Sequence, residues 1–250
     1  SVRDHCLNVG CVAEAFMANL SPRVSKLLPK GSATLAALHD IGKITIGFQV
    51  KCPQWLEKNS LPKFSSGEAA LSVTDHARVS QVFFQKILNA TTARLWAVAV
   101  GAHHGRPKGR IARLNSPEAL FEWAEEHRLR VMDELLKVFG PLPTIPPETG
   151  LAPHHSDLWL LAGLISVADW IGSNETWFSP EHGQPPQETR QKTTEVLRQI
   201  GWPGGKLRAT EFSAAFAVRA DVDFRPNPIQ KAVGDAARNQ VAYRAVTQNA

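Results

Sequence analysis

Residues 35–43 read LAALHDIGK, an apolar run broken by a histidine and an aspartate side by side, with a glycine and a lysine just behind. Neighbouring side chains on an α-helix point about 100° apart, so His39 and Asp40 cannot share one solvated face. At least one of them has to turn inward, which is costly unless something inside binds it.

The surrounding chain is helical in pattern. Val2, Cys6, Val9, Ala13, Phe16 and Leu20 recur every three or four residues, which predicts an opening amphipathic helix that also carries His5. The same period predicts helices over 33–44, 67–89, 91–103, 117–139, 157–171 and 187–200, and no long alternating strand pattern interrupts them. The expected fold class is therefore all-α. PLPTIPPETGLAP, 141–153, has five prolines and no apolar period and reads as a loop. A second break covers 179–187. In FRPNPIQ, 224–230, Asn227 and Pro228 are the expected N-cap and first position of a further helix.

A chain of 250 residues, 43% of them hydrophobic, can bury the core of one large domain, or of one domain plus an appendage. The longest uncharged apolar run, Leu158 to Ala168, is well short of the roughly 20 residues that span a bilayer, and no basic-then-apolar leader opens the sequence, so a cytoplasmic, non-membrane protein is expected. The three cysteines, Cys6, Cys11 and Cys52, form no C-x-x-C pair and suit a reducing compartment. Net charge is +5, with a pI near 9.3, which permits a polyanionic partner. The acid-free segment RPKGRIARLNSP, 106–117, concentrates Arg106, Lys108, Arg110 and Arg113 as candidate phosphate contacts, whereas 122–134 alternates in sign like a solvated helix face.

Nine histidines are present, and their placement is uneven. His5, His39, His76 and His103 each fall in an apolar helical pattern, and so does Asp169 in LLAGLISVADWIG. Any one of them alone could be a hydrogen-bonded core residue; several helices sending such groups to one interior point is how helical folds build metal sites. The doublet His103-His104 before Gly105 ends a helix, where an imidazolium would also favour the dipole. His127, His154, His155 and His182 read as surface residues, and Trp96, Trp123 and Trp159 as core. Trp170, beside Asp169, is the candidate stacking platform for a single-stranded base. Ser173 and Asn174 read first as helix caps, with Ser173 retained as a candidate nucleic-acid contact.

The order His5, His39-Asp40, His76, His103-His104, Asp169 resembles the HD metal-dependent phosphohydrolase superfamily, with its H…HD…D core. His76, the HHG doublet and ADWIGS, 168–173, narrow the resemblance to the nuclease domain of the CRISPR-associated helicase-nuclease of type I systems. FRPNPIQ is similar to the glutamine motif with which that family begins its first RecA-like helicase domain, Gln230 being the adenine contact. No G-x-x-x-x-G-K-[ST] loop occurs, so ATP hydrolysis by this chain alone is not expected.

The resemblance implies an HD-domain helical bundle with a di-metal site in its core over 1–204. A connector and the truncated start of a helicase domain would follow over 205–250. It implies one ion on His5, His39, Asp40 and Asp169 and a second on Asp40, His76, His103 and His104, with Asp40 as the bridge. So many imidazoles favour Mn, Fe, Co or Ni, with Mg possible. Lys43, four residues beyond His39, is the candidate cation for the scissile phosphate, or a solvent-facing lysine at a helix end. The implied activity is hydrolysis of single-stranded DNA in type I CRISPR interference by a metal-activated water. The implied partners are that DNA, an RNA-guided effector complex, and a helicase domain in the same polypeptide or a separate subunit. Two alternatives stand beside it: an HD phosphohydrolase of nucleotides or small phosphoesters, and a non-catalytic recruitment module.

Overall fold

The computed structural model describes residues 1–20, 22–58, 75–88, 95–105, 124–143 and 156–202. Among these the regular structure is entirely helical: α1 (Val2–Ala18), α2 (Pro22–Ser25), α3 (Ser32–Ala37), a 3₁₀ turn (Ile41–Lys43), α4 (Ile46–Gln49), α5 (Pro53–Lys58), α6 (His76–Ile87), α7 (Leu95–Gly101), α8 (Glu125–Phe139), α9 (Ser156–Gly172) and α10 (Pro186–Gln199). No helix among the described residues is long and apolar enough to cross a membrane. The chain divides into compact units at Ser1–Val196 and Leu197–Ala250. Of the second, the described residues are the end of α10 and a turn in which the Trp202 amide donates to the Leu197 carbonyl at 2.8 Å.

In the first unit α1 is the central helix, packed against both α3 and α9. A reciprocal cap starts it: the Asp4 amide donates to Ser1 Oγ at 3.2 Å and the Ser1 hydroxyl donates back to Asp4 Oδ2 at 2.7 Å. Its buried side chains, Cys6, Leu7, Val9, Cys11, Val12, Ala13 and Phe16, cover more than one stripe, as a helix flanked on several sides requires. Gly10 lets α3 and α8 close in; a Cβ there would stand 2.5 Å from the Phe139 ring and 2.7 Å from Ala37 Cβ. On the other side of the site, α6 packs on α7 and on the 3₁₀ turn.

The helix expected over 33–44 is broken. It ends at Ala37, and amide-to-carbonyl bonds from His39 to Ala36, Ile41 to Leu38 and Lys43 to Asp40 tighten the chain into successive turns. An unbroken α-helix would have left one of the polar pair facing outward. The turns place both inside, with His39 at 0% and Asp40 at 1% exposure.

Other boundaries shift too. The helix expected over 67–89 begins at His76, capped by Asp75, whose carboxylate accepts the Arg78 amide at 3.2 Å. That expected over 91–103 ends at Gly101, leaving His103 and His104 in a turn. That expected over 117–139 begins at Glu125. Helices α2, α4 and α5, four to six residues each, are too short to show a period.

Two expectations about burial fail. Arg128, in the segment read as solvated, is fully buried, with Nη1 donating to the Ile44 carbonyl at 2.7 Å and the guanidinium 5.7 Å from the Phe83 ring. Trp159, read as core, is 42% exposed on α9, whose open face also carries Val167 and Trp170. Trp96 is buried, His127 is half-buried and His182 is exposed. Arg106, Lys108, Arg110, Arg113, Trp123, His154, His155, the 205–223 connector and FRPNPIQ with Gln230 lie outside the described residues.

Candidate metal centre

Five elements send seven side chains to one point. His5 comes from α1, His39 and Asp40 from the turns after α3, His76 from the first residue of α6, His103 and His104 from the turn after α7, and Asp169 from the last turn of α9. They form two groups, His5 with His39, Asp40 and Asp169, and His76 with His103 and His104. Within each group one donor atom per residue lies within 4.8 Å of the others.

Asp40 connects the groups. Its Oδ2 lies 2.9 Å from His5 Nε2 and 3.3 Å from His39 Nε2, while Oδ1 lies 3.2 Å from His76 Nε2 and 3.4 Å from His103 Nε2. Asp169 Oδ1 completes the first group, 3.5 Å from His5 Nε2 and 3.4 Å from His39 Nε2. In the second, His104 Nε2 and His76 Nε2 are 2.9 Å apart.

Two tautomers are set by the backbone. A carbonyl can only accept, so His39 Nδ1 donates to Ala36 O at 2.8 Å and His103 Nδ1 donates to Val100 O at 2.6 Å. When neutral, each ring therefore aims the lone pair of Nε2 into the cluster, an arrangement that fixes orientation and raises ligand basicity. His39 Nε2, His103 Nε2 and Asp40 Oδ1 are buried without a hydrogen-bond partner; their near neighbours lack the alignment of a bond. Buried polar atoms in that condition are rare, and a cation in each group would satisfy them. Five imidazoles and two carboxylates form a donor set that suits a borderline transition ion.

The charges are equally uneven. Burial disfavours a charged His39, but the Asp40 and Asp169 carboxylates outweigh it and raise the imidazole to about 9. For His5, burial wins over the same Asp40 and the ring is pushed down. One proton thus belongs to the His39 side of the group. Burial would also raise Asp40, yet His39 and the surrounding ring nitrogens hold its carboxyl well below the usual range; Asp169 is held low in the same way, with Ser173 contributing.

Lys43 pairs with Asp40 Oδ2 from the 3₁₀ turn rather than from a continuous helix. Ser173 is more than a cap, because its hydroxyl donates to Asp169 Oδ1 at 2.7 Å and orients that carboxylate. Trp170 is 73% exposed beside it. Sequence reasoning missed Arg128 and Gln49, whose side chains hold the Ile44 and Lys43 carbonyls at 2.7 and 2.8 Å behind the site; no local pattern marks either contact. Burial pushes the Cys6 thiol far up and Cys11 to about 12, so neither supplies a thiolate.

Residues 1–178 match the family described as "Cas3, HD domain". The chain is 29% identical over 213 residues to the Escherichia coli K12 protein named CRISPR-associated endonuclease/helicase Cas3, an alignment covering 68% of this chain and 23% of that protein. It thus spans less than a quarter of that relative's length. Among solved structures it is similar to the Thermus thermophilus Cas3 HD domain crystallised in the presence of Ni2+, with a TM-score of 0.51 and 23% identity over 81% of this chain and 86% of that one. T. fusca Cas3 is similar as well, with a TM-score of 0.57 and 21% identity over 94% of this chain and 28% of that one. At such identities the likeness is one of fold, and it agrees with the helical architecture found here. With some seven-tenths of its length matched by one family, the chain belongs to the Cas3 HD domain family.

Proposed function

We propose that this chain is a metal-dependent nuclease domain that hydrolyses single-stranded DNA in type I CRISPR interference, using two divalent ions. The observation that carries the reading is the geometry of Asp40, one buried carboxylate whose two oxygens face two separate groups of histidines. His5, His39, Asp40 and Asp169 would hold one ion, and Asp40, His76, His103 and His104 the other. When bound, such a pair would supply Lewis acidity and a water acidic enough to lose its proton near neutral pH and serve as the nucleophile. The ions would be Mn, Fe, Co or Ni, with Mg less suited to so many nitrogens; the Thermus relative was crystallised with Ni2+.

The chain's own groups do the rest. The Ala36 and Val100 carbonyls keep the protons of His39 and His103 on Nδ1. Ser173 orients Asp169. The Lys43 ammonium, paired with Asp40 in the cluster, would stabilise charge on the phosphate. Trp170, exposed next to Asp169, would stack a base of the single strand. Arg106, Lys108, Arg110 and Arg113 would add phosphate contacts. The proposed division is an HD nuclease over 1–204 and, over 205–250, a connector leading to a helicase with Gln230 on adenine. The name of the E. coli relative joins endonuclease and helicase, and a chain similar to this one occurs in an RNA-guided surveillance complex described as pre-nicking. An effector complex and a helicase are accordingly the proposed partners.

The test is to strip the protein with chelator, add back Mn, Co, Ni or Mg, and offer circular single-stranded DNA. Cleavage should return with at least one ion and be abolished in Asp40→Ala. Turnover of deoxynucleotides without DNA cleavage would replace this reading with a small-phosphoester hydrolase. Firm metal binding with neither activity would leave a recruitment module.

A further inference from the structure

Phe48 stands beside the second group of histidines and carries two ammonium groups on its ring. The ring meets His76 edge-on, with centroids 5.6 Å apart and planes at 74°. Lys51 Nζ lies 4.7 Å from its centroid and Lys43 Nζ 5.7 Å. The segment is anchored: the Phe48 amide donates to Thr45 Oγ1 at 3.3 Å, and Gln49 Nε2 donates to the Lys43 carbonyl at 2.8 Å. The ring is therefore held in a set relation to the turn that bears Asp40.

The two lysines are not equivalent. Lys43 is paired with Asp40 within the cluster. Lys51 is exposed, and among the described residues its only charged-group interaction is with the Phe48 ring. Lys51 thus sits on the ring that meets His76, at the edge of the second group of histidines. With Lys43 paired to Asp40, Lys51 is the cation beside the Phe48 ring still open to a phosphate next to the cluster. A strand has another phosphate to offer it.

We propose that Lys51 and Phe48 form a subsite for the nucleotide adjoining the scissile bond, Lys51 taking its phosphate and the Phe48 ring holding that ammonium in place. The subsite deepens the nuclease reading and rests on it, since the phosphate it takes belongs to a neighbouring nucleotide of the strand. Neutralising a lysine that displaces a counterion from a single strand lowers the salt slope of binding by about 0.7, and affinity at low salt falls several-fold.

The experiment uses the whole 250-residue chain loaded with Ni2+ and a fluorescein-labelled phosphorothioate oligothymidylate, followed by fluorescence anisotropy across a salt series. Lys51→Gln should flatten the salt dependence by that amount. Phe48→Leu should weaken binding while keeping the slope, because the charge remains but is no longer held. Lys192→Gln, which removes a lysine paired with Glu195 at 3.6 Å on α10, should change neither. A Lys51→Gln slope equal to wild type, or a wild-type chain that does not bind the strand, overturns the subsite. Failure of the nuclease reading is separate: the Lys51→Gln slope still differs from wild type by the expected amount, but ordinary single-stranded DNA is not cleaved under any ion.

Discussion

Asp40 and His39 are one interaction seen from two residues, and their titration predicts how the metal-free protein responds to pH. The His39 imidazole is raised from 6.5 to about 9. A folded-state pKa above the unfolded one contributes stability that is complete below about pH 6.5 and is lost as pH climbs through about 9. Chelator-treated protein should therefore melt at progressively lower temperature across that interval. A bound ion takes the place of the proton, so affinity for Ni2+ should rise over the same interval and the alkaline loss of stability should shrink. Melting curves at a series of pH values, with and without the ion, check both. Ser173 gives a narrower test. Ser173→Ala removes the hydroxyl on Asp169 and should cost about 10-fold in metal affinity by calorimetric titration, while the melting temperature without metal barely moves. Were Ser173 only a helix cap, the two effects would be reversed.

At the scale of elements, the short turn bearing the pair is held from two sides, by α6 and by α8, and each contact is open to a mutation. The Gly42 amide donates to Ser80 Oγ at 2.9 Å, and a Cβ on Gly42 would run into the His76 carbonyl and stand 2.7 Å from the Ser80 amide nitrogen. The missing side chain of Gly42 thus lets α6 close on the turn. Gly42→Ala should cost about 1–3 kcal/mol of stability by overpacking α6 against the turn, measurable by denaturant unfolding. Arg128 supports the turn from α8. Burial lowers its guanidinium to about 10, and its bond to the Ile44 carbonyl offsets part of the cost of burying it. Arg128→Leu leaves that carbonyl short of a donor and should destabilise by about 1–3 kcal/mol, with weaker metal binding as the turn loosens. The 3.6-residue period located α1, α9 and α10 to within a residue or two at their described ends, because each presents three or more turns to a core. It ran α3 straight through the site, because an apolar period does not register where i→i+3 bonds replace i→i+4.

For the molecule as a whole, metal binding at the cluster would be linked to folding. An ion that binds only the folded chain adds stability in proportion to the logarithm of its concentration over Kd, about 2.7 kcal/mol at a hundredfold excess. Chelation should lower the melting temperature, and adding back Mn, Co or Ni should restore it, whereas Asp40→Ala should melt alike with and without ion. The all-α class, the family resemblance and the seven residues of the cluster were legible in the sequence, since helical periodicity and the order of polar residues within apolar runs are local properties of the chain. What only the tertiary structure decided is how those seven meet: Asp40 turned so that its two oxygens face different groups, the tautomers of His39 and His103 set by the Ala36 and Val100 carbonyls, and Ser173 placed on Asp169. The same holds for Arg128, drawn from a charged helix face into the core to reach a carbonyl 84 residues away. Those facts depend on the direction of side chains arriving from helices distant in sequence, and no pattern along a single chain encodes a direction in space.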